Sequence, residues 1–158
     1  MIKNNYIFIL LSVLILSVPH KVQAQVNSDW QRIGLTVAGY NIVDGVEALF
    51  QVNSCNGKDV IYVRYINHTN SAVKIDWNDA VFTEDQKWIN KDADADKKSI
   101  TIPANSEVKG ECPASSNGES VKPVNKNPQL IIDMKDFITD KKNFKLYSAA
   151  NFRVTAGK

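Results

Sequence analysis

Val46-Glu47-Ala48-Leu49-Phe50-Gln51-Val52-Asn53-Ser54-Cys55-Asn56-Gly57-Lys58-Asp59-Val60-Ile61-Tyr62-Val63-Arg64-Tyr65-Ile66 decides how this chain folds. Val46, Ala48, Phe50 and Val52 recur at every second position, the period of a strand with one buried face. Asn56-Gly57 then supplies the two residues that most readily take positive φ, so the chain reverses there as a hairpin. From Val60 to Ile66 apolar side chains fall on both parities, which predicts a strand inside the sheet rather than at its rim.

Working outward, the same grammar repeats. Asn67 to Ser71 is a polar turn. Val73, Ile75 and Trp77 share a face, with Lys74 and Asp76 on the other. Ala80 to Thr83 and Lys87 to Asn90 predict a short hairpin around Glu84-Asp85-Gln86. Ser99 to Ile102 predicts a strand stopped by Pro103-Ala-Asn-Ser106, a turn by composition. Glu107 to Cys112 and Gln129 to Ile132 read as further strands. The last, Phe144 to Val154, keeps Phe144, Leu146, Ser148, Ala150, Phe152 and Val154 on one parity. A single helical turn is expected between them, with Asp133 as its N-cap and Met134, Phe137 and Ile138 as its apolar face. Seven to nine short antiparallel strands in one domain, residues 25–158, predict an all-β sandwich.

Two cysteines, Cys55 and Cys112, are the only ones in the chain. In an oxidising compartment an isolated pair forms a disulfide. Closing a loop of roughly 58 residues stabilises the fold by about 4 kcal/mol in the chain-entropy treatment. Strand count and cysteine separation together resemble an immunoglobulin-like sandwich in general architecture. The resemblance implies only the two-sheet arrangement, because Trp77 lies well downstream of Cys55 and Gly110 stands where a corner tyrosine is expected.

The beginning of the chain sets the compartment. Lys3, an apolar run from Ile7 to Val18, and Val22-Gln23-Ala24 have the form of an export signal over residues 1–24, cleaved before Gln25. The run is too short to span a bilayer, which takes about 20 apolar residues. The expected protein is therefore secreted or periplasmic, with no membrane anchor after cleavage. Lys3 and Lys21 fall in this leader, so the whole-chain balance of 19 basic and 17 acidic residues becomes even once it is removed. An even balance argues against a nucleic-acid partner, which requires a basic patch.

The chemistry-bearing residues are sparse. His68 is the sole histidine after the leader, so Ser-His-Asp and Cys-His arrangements have little to draw on. Asp92-Ala-Asp94-Ala-Asp96 places alternate carboxylates as a calcium loop does, but Lys97 and Pro103 occupy the positions where an EF-hand needs Gly and Glu; the stretch reads as a solvated loop. Asp133, Asp136 and Asp140 read as caps and surface charges rather than an acid–base pair. Asn67-His68-Thr69 matches a glycosylation acceptor and reads as a turn. No cofactor and no metal site are expected.

What remains points to binding. The long polar segment 113–128, with Asn117 and Gly118 at its centre, starts at Cys112, so a disulfide would anchor its base and lower the entropy lost on binding. Tyr62 with Arg64, and Tyr147 with Arg153, share strand parities and offer aromatic and guanidinium groups to a partner. The expectation is a non-enzymatic exported module that recognises an extracytoplasmic protein. The alternatives are a carbohydrate-binding module using exposed aromatics, Trp30 and Trp88 among them, and a small carboxylate-based hydrolase.

Overall fold

A computed structural model describes residues 29–36, 38–113 and 127–157. The proposed leader, Asn117 and Gly118 lie outside the described residues. Among the described residues ten strands form two antiparallel sheets. The first contains β1 (Gln31–Arg32), β2 (Ile42–Val43), β3 (Val46–Cys55), β4 (Lys58–Asn67), β8 (Ser106–Lys109) and β9 (Ile131–Asp133). The second contains β5 (Val73–Thr83), β6 (Trp88–Asn90), β7 (Lys98–Ile102) and β10 (Phe144–Ala156). In the first, β3 and β4 are central, flanked by β1 and β2 on one side and β8 and β9 on the other; in the second, β5 lies between β10 and the β6–β7 pair.

The hairpin read from the sequence is the centre of the first sheet. β3 and β4 pair without interruption from Val46↔Asn67 to Cys55↔Lys58, turning on Asn56 and Gly57 at φ 50° and 78°. Val46, Ala48 and Phe50 face inward with Ile61, Val63 and Tyr65. Across the sandwich they meet Val73, Ile75, Trp77 and Val81 of β5 and Tyr147 of β10. Tyr65 packs edge-on against Trp77 at 5.1 Å, and Phe50 lies 6.2 Å from Tyr147. These aromatic contacts join the sheets into one core.

Three local expectations change. Val73–Trp77 and Ala80–Thr83 are parts of one strand, because Asn78 and Asp79 continue the ladder with their side chains buried and hydrogen-bonded. The strand expected to reach Cys112 ends at Lys109, since Gly110 passes so close to the Leu130 carbonyl that a Cβ there would collide with it. The uniform parity expected along the last strand breaks. Tyr147 and Ala149 face the core, and then Phe152 and Val154 do, because a bulge between Ala150 and Arg153 centres on Asn151 at φ 52°. One extra residue exchanges the two faces of a strand.

The expected helical turn is a single 3₁₀ turn, Met134–Asp136, with the Asp133 carboxylate accepting from the Lys135 N–H at 3.1 Å. Met134, Phe137 and Ile138 are buried. The Cys55–Cys112 disulfide is present, with Cα atoms 5.5 Å apart. It lies on the outer side of the first sheet, packed with Val60 and Tyr62 apart from the main core. An immunoglobulin-type bridge spans the two sheets instead, so the likeness stops at two packed antiparallel sheets. Among the described residues no helix is long and apolar enough to cross a membrane.

Candidate binding surface

Strand alternation decides which side chains of β4 leave the main core, and on the outer face Val60 and Tyr62 are buried again beside Cys55, Trp30 and Ile131. Ile61, Val63 and Tyr65 fill the core, so Val60, Tyr62 and Arg64 point away from it. Tyr62 is flanked by Gln51 of β3 and Ile131 of β9; Arg64 is flanked by Leu49 and Lys109. Trp30, just before β1, packs on this cluster, and the Arg64 guanidinium lies 5.8 Å from its ring centroid. Arg64 also forms an ion pair with Glu107 on β8. Its Nε is buried without a hydrogen-bond partner, a desolvation cost in a group held by its other nitrogens. Burial raises the Tyr62 phenol above its ordinary value.

Beside these residues a shallow cavity of about 320 Å³ is lined by Trp30, Gln51, Tyr62, Lys109, Glu111 and Cys112. The two ends of the polar segment, Pro113 and Asn127, adjoin it; Asn127 Nδ2 donates to the Lys109 carbonyl at 3.3 Å. Tyr62 and Arg64 share the outer face of β4 next to the disulfide, with Tyr62 buried and Arg64 partly exposed.

The other pair is separated. Tyr147 is fully buried and donates its hydroxyl to Asp79 Oδ1 at 2.7 Å, so it cannot stack on a ligand. Arg153 is exposed, but the Asn151 bulge places it beyond the parity break, with Asp76 as its register partner. Their shared parity in the sequence was cancelled by the extra residue.

Asp79 went unrecognised in the sequence. It is 3% exposed, receives Trp77 Nε1 at 3.1 Å as well as Tyr147, and pairs with Lys98 Nζ at 2.5 Å. Lys98 also donates to the Gln129 carbonyl at 2.9 Å. Burial first, then the Asp79 charge, pushes the Tyr65 phenol well above its ordinary range; burial first, then Tyr65 and Asp79, does the same to Tyr147. The available signal was parity: Asp79 sits between Trp77 and Val81 at an inward position.

Asp79, Asp96, Asp133 and Asp136 line a cavity of about 260 Å³ together with Lys91, Lys97 and Lys98. Asp79 pairs with Lys98, Asp133 with Lys58 at 3.2 Å, and Asp136 with Lys91 at 3.7 Å. Three of the four carboxylates are thus each paired with its own lysine. Asp92, Asp94 and Asp96 are exposed, and no metal-holding group of three or more acidic, histidine or cysteine side chains occurs among the described residues. His68 Nε2 lies 3.0 Å from Glu47 Oε2 on the surface. Asn67 is 1% exposed, and its Nδ2 donates to the carbonyls of Ser71, Ile102 and Pro103. Its amide is a fastening between β4 and β7, inaccessible to modification in the folded protein.

No family model matches the chain, and neither a characterised protein nor a solved structure is significantly similar to it.

Proposed function

We propose that the chain is exported and works outside the cytosol as a non-enzymatic binding module, recognising a protein partner through Trp30 and Arg64, which are seated beside the buried Tyr62. The observation carrying this reading is the stacking of Arg64 on Trp30 beside the disulfide, with Tyr62 packed beneath. Trp, Tyr and Arg are the residues that dominate protein interfaces, and pre-ordered side chains lose less entropy on association. Ion pairs surround them: Arg64 with Glu107, and Lys109 with Glu111 at 3.2 Å. Such a mixed-charge rim suits another protein surface. The disulfide fits an oxidising compartment.

Export is tested by intact mass, which should begin at Gln25 and be two hydrogens lighter than the reduced chain. Binding is tested by capture from the exported fraction with the wild type, Trp30→Ala and Arg64→Ala. A partner held by the wild type and released by both variants, each with unchanged circular dichroism, supports the reading. Equal capture by all three overturns it.

A further inference from the structure

The second sheet has its own outer face, and its register builds a cleft there. On that face Trp88, Phe82 and Leu146 form one cross-strand row, and Asn90, Ala80 and Ser148 form the next. Small residues at Ala80, Ser148 and Ala150 keep the floor low. Trp88 stands beside them 53% exposed, the bulkiest exposed side chain among the described residues. Its indole rests on Phe82, with centroids 4.9 Å apart, so the exposed ring is held from behind. The opposite wall is the Gly34–Thr36 stretch, fixed by Ser148 Oγ donating to the Gly34 carbonyl at 3.1 Å and by the buried Leu35. The enclosed volume is about 620 Å³, within the range of small-ligand sites.

The lining is uncharged throughout. Its polar groups are the amides of Asn90 and Asn151 and the hydroxyls of Thr36 and Ser148. Asn90 makes no side-chain hydrogen bond among the described residues, whereas Asn151, presented by the bulge, donates to Asn78 Oδ1 at 3.3 Å. Lys145, over the Phe82 ring, pairs with Glu84 at 3.9 Å, so these two charges offset each other. An exposed indole next to neutral amides and hydroxyls matches a ligand with an apolar C–H face and a rim of hydroxyls. Charged ligands would find no counter-charge, and a purely apolar one would strand the amides.

We infer that this cleft binds a neutral saccharide, one sugar ring stacking on Trp88 while its hydroxyls are taken by Asn90 and Ser148. The site is independent of the protein-binding surface on the first sheet. The probes are neutral hexasaccharides of glucose, mannose, xylose and N-acetylglucosamine, with an acidic uronate hexasaccharide alongside, followed by tryptophan fluorescence and calorimetry. At least one neutral probe should bind and shift tryptophan emission. Trp88→Ala should weaken it by about tenfold or more and Asn90→Ala by several-fold, while Trp30→Ala leaves it unchanged. Trp88 and Asn90 are both exposed, so unchanged circular dichroism and melting temperature show that each variant is folded. Failure of every neutral probe, preference for the uronate, or binding indifferent to Trp88→Ala and Asn90→Ala overturns the inference. Loss of partner capture in Trp30→Ala with saccharide binding intact would separate the two surfaces.

Discussion

The first sheet carries its strongest tie on the outside, where Cys55–Cys112 packs with Tyr62 away from the core, whereas the second carries its own on the inside, where Asp79 gathers Trp77, Tyr147 and Lys98. The difference shapes the two outer faces. A covalent staple on the surface restrains the unfolded chain and holds the neighbouring Trp30, Tyr62 and Arg64 in place, with charges all round. The second sheet's buried tie leaves its outer face without a staple; there Trp88 stands over alanine and serine at one end, and Asp76 pairs with Lys74 and Lys97 at the other. The contrast is between an outer face stapled among ion pairs and one whose aromatic end lies in an uncharged cleft.

The largest effect expected from breaking this contrast is on the inner tie. Asp79→Ala strands the Lys98 ammonium, the Trp77 N–H and the Tyr147 hydroxyl together. Removing one partner of a buried pair costs about 3–5 kcal/mol, so urea unfolding should show a loss of that order. Asp79→Asn keeps an acceptor for Trp77 and Tyr147 and should lose less. A loss in Asp79→Ala no greater than a surface substitution would mean that the second sheet is not held from within.

Next comes the outer tie. Cys55→Ser with Cys112→Ser should cost about 2–4 kcal/mol through the freed unfolded chain. The damage should show first in the near-ultraviolet signal of Trp30 and Tyr62, with the saccharide cleft unaffected. Equal weakening of both faces would abolish the proposed independence.

A third, smaller effect follows from the buried phenols. Tyr65 and Tyr147 stay protonated in the fold well above pH 10, while in the unfolded chain they ionise near their ordinary value. The unfolded state then binds fewer protons, so stability falls as pH rises beyond about 10, by up to about 1.4 kcal/mol per pH unit for each buried phenol. Phenolate absorbance should therefore show two tyrosines ionising only as the protein unfolds. If all four tyrosines after the proposed leader ionise before unfolding, the core is not sealed around Asp79.

How much of this was readable in advance follows from the range of each interaction. The β3–β4 hairpin was legible because period two and Asn56-Gly57 are local signals, and the disulfide because only one pairing was possible. Tyr62 and Arg64 were legible as neighbours because no bulge separates them. Tyr147 and Arg153 share a parity in the sequence but not a face in the fold, because Asn151, an ordinary residue in the sequence, takes a left-handed conformation that reverses the strand's parity. Asp79 reads as a solvated carboxylate until Lys98, nineteen positions away, and Tyr147, from the far end of the chain, converge on it. The Trp88 cleft depends on the register of three strands at once, which no local pattern encodes.

The smallest effect compares two surface carboxylates, one per sheet. Asp85, in the β5–β6 turn, is drawn down to about 2 by hydrogen bonds from Lys87, then the Thr83 hydroxyl and the Asn143 amide. Asp133, at the end of β9, is lowered by the Lys135 N–H first and by Lys58 beyond it. A carboxylate depressed in the fold binds fewer protons there than in the unfolded chain. Its contribution is thus complete above the ordinary carboxylate value of 3.8 and disappears as pH falls towards about 2 for Asp85. Asp85→Asn and Asp133→Asn should each lower the melting temperature slightly at neutral pH and match the wild type in strong acid. Because Asp133 depends mainly on a backbone donor and Asp85 on a lysine ion pair, added salt should shrink the Asp85→Asn difference more. Equal salt sensitivity would show that Lys58 and Lys87 act alike, and that the two sheets differ in their inner and outer ties but not at their rims.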